Sequence, residues 1–151
     1  MGKKTIFNLI GPLSSPAQVK RQVIGVFDKK WMKPFAEALK ENGVIHAFIV
    51  HSEDGMDEIS PFAKTYVVEL KDSIIKEFII DPKTLGIDTA NKENLKGKSA
   101  EYNSEKIIEI FKGKNNEFSK SVALNVAAGL IVSGEENDFK ISYEKATKHL
   151  N

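Results

Sequence analysis

Cysteine is absent from all 151 residues. That excludes a disulfide scaffold, a cysteine-ligated zinc finger and a thiol nucleophile. Arginine is almost absent too: Arg21 is the only one, and every other basic side chain apart from the histidines is lysine. Arginine is the usual bidentate clamp for phosphates and carboxylates, so an anion site here rests on lysine, backbone N–H groups or a metal. No apolar run approaches the roughly 18 residues of a membrane span. The opening Met-Gly-Lys-Lys leads into no long apolar signal region, so the expected address is the cytoplasm, with no membrane partner. Charge of one sign is also lacking. A formal net charge of +1 makes no field that argues for nucleic acid. Neither GxxxxGK nor GxGxxG occurs, and no Ser/His/Asp arrangement can be picked out.

What is present is an ordinary globular balance, 41% hydrophobic and 28% charged, in a length that suits one domain or part of one. Residues 5–16 form an apolar segment broken by Gly11-Pro12 and closed by Pro16, a short helix or turn running into a loop. Residues 22–27 (QVIGVF) and 46–51 (HAFIVH) are short apolar runs without clean alternation, the pattern of strands buried on both faces. Between them Asp28 is a possible N-cap, Trp31, Phe35, Ala38 and Leu39 recur at helical spacing, and Asn42-Gly43 ends the helix. The whole is one strand–helix–strand unit with parallel strands. After a loop at 52–63, residues 64–70 and 74–80 flank Lys71-Asp72-Ser73 as a hairpin. Residues 81–100 are polar and irregular, and helices follow over 103–112, 118–133 and 139–150. The apolar helix 118–133 is expected to be buried nearly all round. The fold class expected is therefore α/β, with a mixed, mostly parallel sheet covered by helices on both faces and an all-helical C-terminal part.

The most unusual stretch is His51-Ser-Glu-Asp-Gly-Met-Asp-Glu58. It starts at the end of an expected parallel strand, where open α/β sheets place their ligands. It carries four carboxylates in six residues: Glu53, Asp54, Asp57 and Glu58. Like charges this close raise one another's pKa, and a cation relieves them. Hard carboxylate oxygens suit Mg²⁺, which binds through one or two carboxylates together with substrate phosphates. The alternative is a solvated acidic loop, and spacing alone favours that; the place at a strand's carboxyl edge supports the metal. His51 is either a base or ligand, or a packed, hydrogen-bonded residue. Gly11-Pro12 either lines a ligand or is only a turn.

Thr5-Ile-Phe-Asn-Leu-Ile-Gly-Pro-Leu13, Lys20-Arg-Gln-Val-Ile-Gly-Val26, His51 to Ser60 and Leu124-Asn-Val-Ala-Ala-Gly-Leu130, in that order, resemble the C-terminal part of the anthranilate phosphoribosyltransferases. The departures are Ser15 where Asn is usual, Ser52 where Gly is common and Met56 where Leu is usual. The resemblance implies a phosphoribosyltransferase-like α/β catalytic domain, of which residues 1–151 would be the C-terminal part. It implies the third step of tryptophan biosynthesis, in which the amino nitrogen of anthranilate displaces pyrophosphate from C1 of phosphoribosyl pyrophosphate. Mg²⁺ is the implied cofactor. The family's adjacent Asp-Glu metal pair matches Asp57 and Glu58, its anthranilate wall matches Gly11 and Pro12, and His51, Glu53 and Asp54 would shape the loop behind the pair.

The same resemblance places the family's GTGGD-like phosphate loop, its KHGN-like segment, its anthranilate-clamping arginine and its helical N-terminal domain upstream of Thr5. The expected partner is thus a complementing N-terminal polypeptide, without which the chain would be inactive. The alternatives are a non-catalytic binding module of the same fold and a pyrimidine nucleoside phosphorylase relative.

Overall fold

A computed structural model describes residues 7–14, 16–87 and 92–150; Thr5 and Ser15, named above, lie outside them. The strand–helix–strand unit is built as its residues dictate. β1 spans Arg21–Gly25 and β2 spans His46–Ser52, and they pair in parallel from Arg21 against His46 to Gly25 against Val50. Between them Asp28 caps a 3₁₀ turn, Lys29–Trp31, by accepting the N–H of Lys30, and α2 follows over Met32–Glu41. Pro34 lies in the first turn of α2, where its missing N–H costs no helical bond. Gly43, at φ 69°, takes the left-handed conformation that ends the helix.

β3 (Thr65–Lys71) returns antiparallel to β2, and β4 (Ile74–Ile80) returns antiparallel to β3. Lys71 pairs with Ile74, so the hairpin loop is two residues, Asp72 and Ser73, both at positive φ (49° and 67°). Two successive positive values are what a tight hairpin needs to match the strand twist. The sheet order is β1-β2-β3-β4. The α/β class and mixed sheet agree with expectation, but the parallel character is confined to β1–β2. The other two pairings are antiparallel: a two-residue turn reverses the chain between β3 and β4, and the long loop 53–64 reverses it between β2 and β3.

Each face of the sheet carries a core. On one, Phe35, Ala36 and Leu39 of α2 pack on Ile24, Ala47, Ile49, Val68 and Leu70. On the other, Leu124, Ala128, Ile131 and Val132 pack on Phe48, Val50, Val67 and Ile80. These last four come from α4 (Glu117–Ser133), which follows α3 (Ala100–Phe111) and is packed in turn by α5 (Phe139–Leu150). β2 is buried along almost its whole length because helices cover both its sides, which explains its unbroken apolar run. α4 is less enclosed than its composition suggests: Val122 and Val126 face outward. The lone arginine is structural, its Nη1 donating to the Val132 carbonyl at 2.8 Å near the end of α4.

Candidate active site

The acidic stretch is the connection from the carboxyl end of β2 to the start of β3, and its shape follows from hydroxyl and backbone bonds. Ser52, fully buried at the end of β2, donates through Oγ to the Glu58 carbonyl (2.6 Å), lies 2.7 Å from Thr65 Oγ1 and accepts the N–H of Ser60 (3.2 Å). Gly55, at φ 88°, makes the tight return, and the Ser52 N–H bonds the Met56 carbonyl at 2.9 Å. The loop therefore folds back over the end of β1. There the Asp57 carbonyl sits so close to Gly25 that a Cβ on residue 25 would lie 1.5 Å from it. Only a residue without a side chain permits that approach.

The four carboxylates separate into two kinds. Glu53 accepts the Tyr66 hydroxyl at 2.9 Å. Asp54 accepts the Ser60 hydroxyl (2.9 Å) and the Met56 N–H (3.2 Å), an arrangement that braces the loop from within. Asp57 and Glu58 are adjacent and exposed at the crest. Burial first, then repulsion by Asp57 and a hydrogen bond that the protonated Glu58 donates to it, then repulsion from Asp54, hold the Glu58 carboxyl above the ordinary carboxylate range. Two adjacent, mutually repelling carboxylates are a donor set that a hard divalent cation relieves. Among the described residues no group of three or more acidic or histidine side chains is gathered to hold a metal. The donor set thus fits an ion held by one or two carboxylates with the remaining ligands from substrate and water.

Glu58 also borders an open groove of about 630 Å³, shared with Met56, Leu95, Phe118, Val122 and Val126. The far wall belongs to α4. From that wall Asn125 reaches across to the loop, its Oδ1 accepting the Ile59 N–H at 3.1 Å and its Nδ2 donating to the Ile59 carbonyl at 3.3 Å. His51 is turned the other way, Nδ1 donating to the Val26 carbonyl at 2.9 Å, so it ties the end of β2 to β1.

Gly11 and Pro12 are not brought to this end. They lie in α1 (Phe7–Leu13), beside α2. Pro12 and Leu13 line a groove with Gln22, Leu39, Asn42 and Val44, at the amino end of the parallel strands, and Asn42 Nδ2 donates to the Leu13 carbonyl at 3.4 Å. The sequence reading missed Gly25, Ser52, Ser60, Thr65 and Asn125. A glycine inside an otherwise β-branched strand and a single Asn in the apolar run of α4 were the available signals.

Residues 1–151 match the glycosyl transferase family, α/β domain, throughout, and the chain belongs to that family. Within it the similarity is to anthranilate phosphoribosyltransferases. The chain is 57% identical over 150 residues to that of Pelagibacter ubique, covering 99% of this chain and 46% of the relative. It is 45% identical over 146 residues to that of Azospirillum brasilense, covering 97% and 41%. The crystal structure of the Thermus thermophilus enzyme superposes with a TM-score of 0.87 at 33% identity, over 99% of this chain and 44% of that one. The Saccharomyces cerevisiae enzyme in complex with phosphoribosyl pyrophosphate and Mg superposes at 0.86 and 25% identity, over 99% and 43%. The chain spans less than half the length of these relatives.

Proposed function

We propose that this chain is the C-terminal part of an anthranilate phosphoribosyltransferase α/β domain, and that it contributes the divalent-cation ligands to the transfer of a phosphoribosyl group onto anthranilate. The observation that carries the reading is the crowded, exposed Asp57–Glu58 pair at the carboxyl edge of the parallel strands, with Glu58 held above the usual carboxylate range. The relatives' names and the yeast structure's bound phosphoribosyl pyrophosphate and Mg support it, and favour it over a binding module or a nucleoside phosphorylase.

In the reaction the amino nitrogen of anthranilate bonds to C1, the C1–oxygen bond to pyrophosphate breaks, and the amine loses one proton. The nucleophile is already neutral, so the demand falls on the departing pyrophosphate and on the positive charge growing at the sugar carbon. Mg²⁺ bound at Asp57 and Glu58 would neutralise and orient the pyrophosphate. The chain's own work is to present both carboxylates from a braced loop. Glu53 and Asp54, engaged by Tyr66 and Ser60, keep that loop's shape, and His51 fixes the strand end behind it. Gly11 and Pro12, which lie in α1 beside α2 and away from the acidic loop, are assigned to the anthranilate wall in this reading by the family resemblance alone. The setting is cytoplasmic; no described helix is long and apolar enough to cross a membrane.

The test is to supply the N-terminal portion of a relative to the purified chain and follow consumption of anthranilate by fluorescence, with Mg²⁺ and phosphoribosyl pyrophosphate present. Turnover in the mixture and none from either part is expected; no turnover from the assembled pair would sink the proposal.

A further inference from the structure

We infer that Asn125 is the positioning residue that sets the Asp57–Glu58 pair for its cation, an inference that rests on the metal reading above. Its carboxamide engages both main-chain polar groups of Ile59, the residue immediately after Glu58. The second hydrogen on Nδ2 donates to the Ser121 carbonyl at 2.9 Å, one turn earlier in α4. All three bonds are used, and together they fix the amide's orientation: the reversed amide would face an N–H with N–H and two carbonyls with an oxygen. Asn125 therefore does for Ile59 what a neighbouring strand would do, in a stretch where the sheet offers none.

The consequence falls on Glu58. Ser52 Oγ donates to its carbonyl, the N–H of that same peptide donates to Asn125 Oδ1, and the carbonyl of the next peptide accepts from Asn125 Nδ2. The Ile59 side chain, fully buried, sits in the same core as Leu124 and Ala128, the neighbours of Asn125 on α4. The two peptides that follow the Glu58 Cα are thus fixed against α4, while its carboxylate stays at the surface. Mg²⁺ demands near-ideal octahedral geometry, and groups behind the ligands that hold them in place change metal affinity about 10–100-fold when removed.

The experiment measures Mn²⁺ binding by electron paramagnetic resonance in the assembled enzyme with phosphoribosyl pyrophosphate, together with hydrogen exchange of the Ile59 amide. Asn125→Ala should weaken Mn²⁺ binding about tenfold or more and expose the Ile59 amide to exchange, while turnover at saturating metal falls much less. Asn125→Gln, which keeps the hydrogen-bonding groups on a longer stem, should fold and show the same direction with a smaller loss. Unchanged Mn²⁺ affinity in both variants, with Ile59 exchange accelerated, would reduce Asn125 to a structural residue and overturn the inference. Glu58→Gln separates the two claims. If it abolishes Mn²⁺ binding and the Asn125 variants do not weaken it, only the positioning role fails. If Glu58→Gln leaves Mn²⁺ binding intact, the metal reading itself fails and the role of Asn125 falls with it.

Discussion

Replacing Gly25 by alanine inserts one methyl group where the loop crosses the end of β1. The new Cβ would lie 1.5 Å from the Asp57 carbonyl oxygen and 2.6 Å from its carbon, whereas ordinary contact begins near 3.4 Å. The obstacle is main chain, so no side chain can rotate away, and the loop and strand must separate by about 2 Å. Gly25 is not among the positive-φ residues, so alanine meets no backbone strain and the cost is purely steric. Overpacking of this kind costs about 1–3 kcal/mol. Without the clash the same substitution would stabilise by about 0.4–1 kcal/mol, through the reduced freedom of the unfolded chain. The two cases therefore differ in sign. At roughly 2–4 °C per kcal/mol for a domain of this size, thermal unfolding should show a midpoint lowered by roughly 2–12 °C. Divalent-cation affinity should fall in the same variant, because the peptide that moves carries Asp57. A midpoint unchanged or raised, with cation affinity intact, would refute the packing argument.

Ser52→Ala removes a buried hydroxyl that meets the Glu58 carbonyl, Thr65 and the Ser60 N–H; chemical denaturation should show a loss of about 1–3 kcal/mol, together with weaker cation binding. Leu39→Ala, in the core under α2 and away from the loop, should cost about 2–5 kcal/mol yet leave cation affinity of the folded protein unchanged, which calorimetry can check. The raised Glu58 pKa fixes a pH dependence. The folded state holds that proton longer than the unfolded chain does, so the group favours folding at low pH. That contribution is lost as pH rises from the ordinary carboxylate value through the raised one. Unfolding midpoints measured across that window should therefore show a decline that Glu58→Gln lacks, and Mg²⁺ with phosphoribosyl pyrophosphate should diminish it in the assembled enzyme; identical profiles for the two proteins would contradict the assignment.

The strand–helix–strand unit was legible because its signals are local: Asp28 caps, Gly43 terminates, and the centre of β2, Ala47 to Val50, is an unbroken apolar run because both its faces are covered. The hairpin was legible for the same reason, from a short polar break between two β-rich runs. What could not be read were contacts between segments distant in sequence. Helical spacing in 118–133 says that α4 is apolar, but only the packing decides that Val122 and Val126 face a groove. The four acidic residues were visible as a group, yet their division into loop braces and a free pair depends on Tyr66 and Ser60. Gly25 reads as one more strand residue until the loop is seen resting on it. The place of Gly11 and Pro12 was not legible either, since a seven-residue helix is too short to hold its position by its own propensity and takes it from what packs beside it.

The most direct measurement of the central claim is a Mg²⁺ titration of anthranilate consumption by the assembled enzyme, comparing the native chain with Asp57→Asn and Glu58→Gln. If the pair holds the cation, both variants should need about 10-fold or more Mg²⁺ for half-maximal activity, as loss of a group in or behind a metal site commonly causes. Half-maximal Mg²⁺ concentrations and maximal rates equal to those of the native chain in both variants would contradict it.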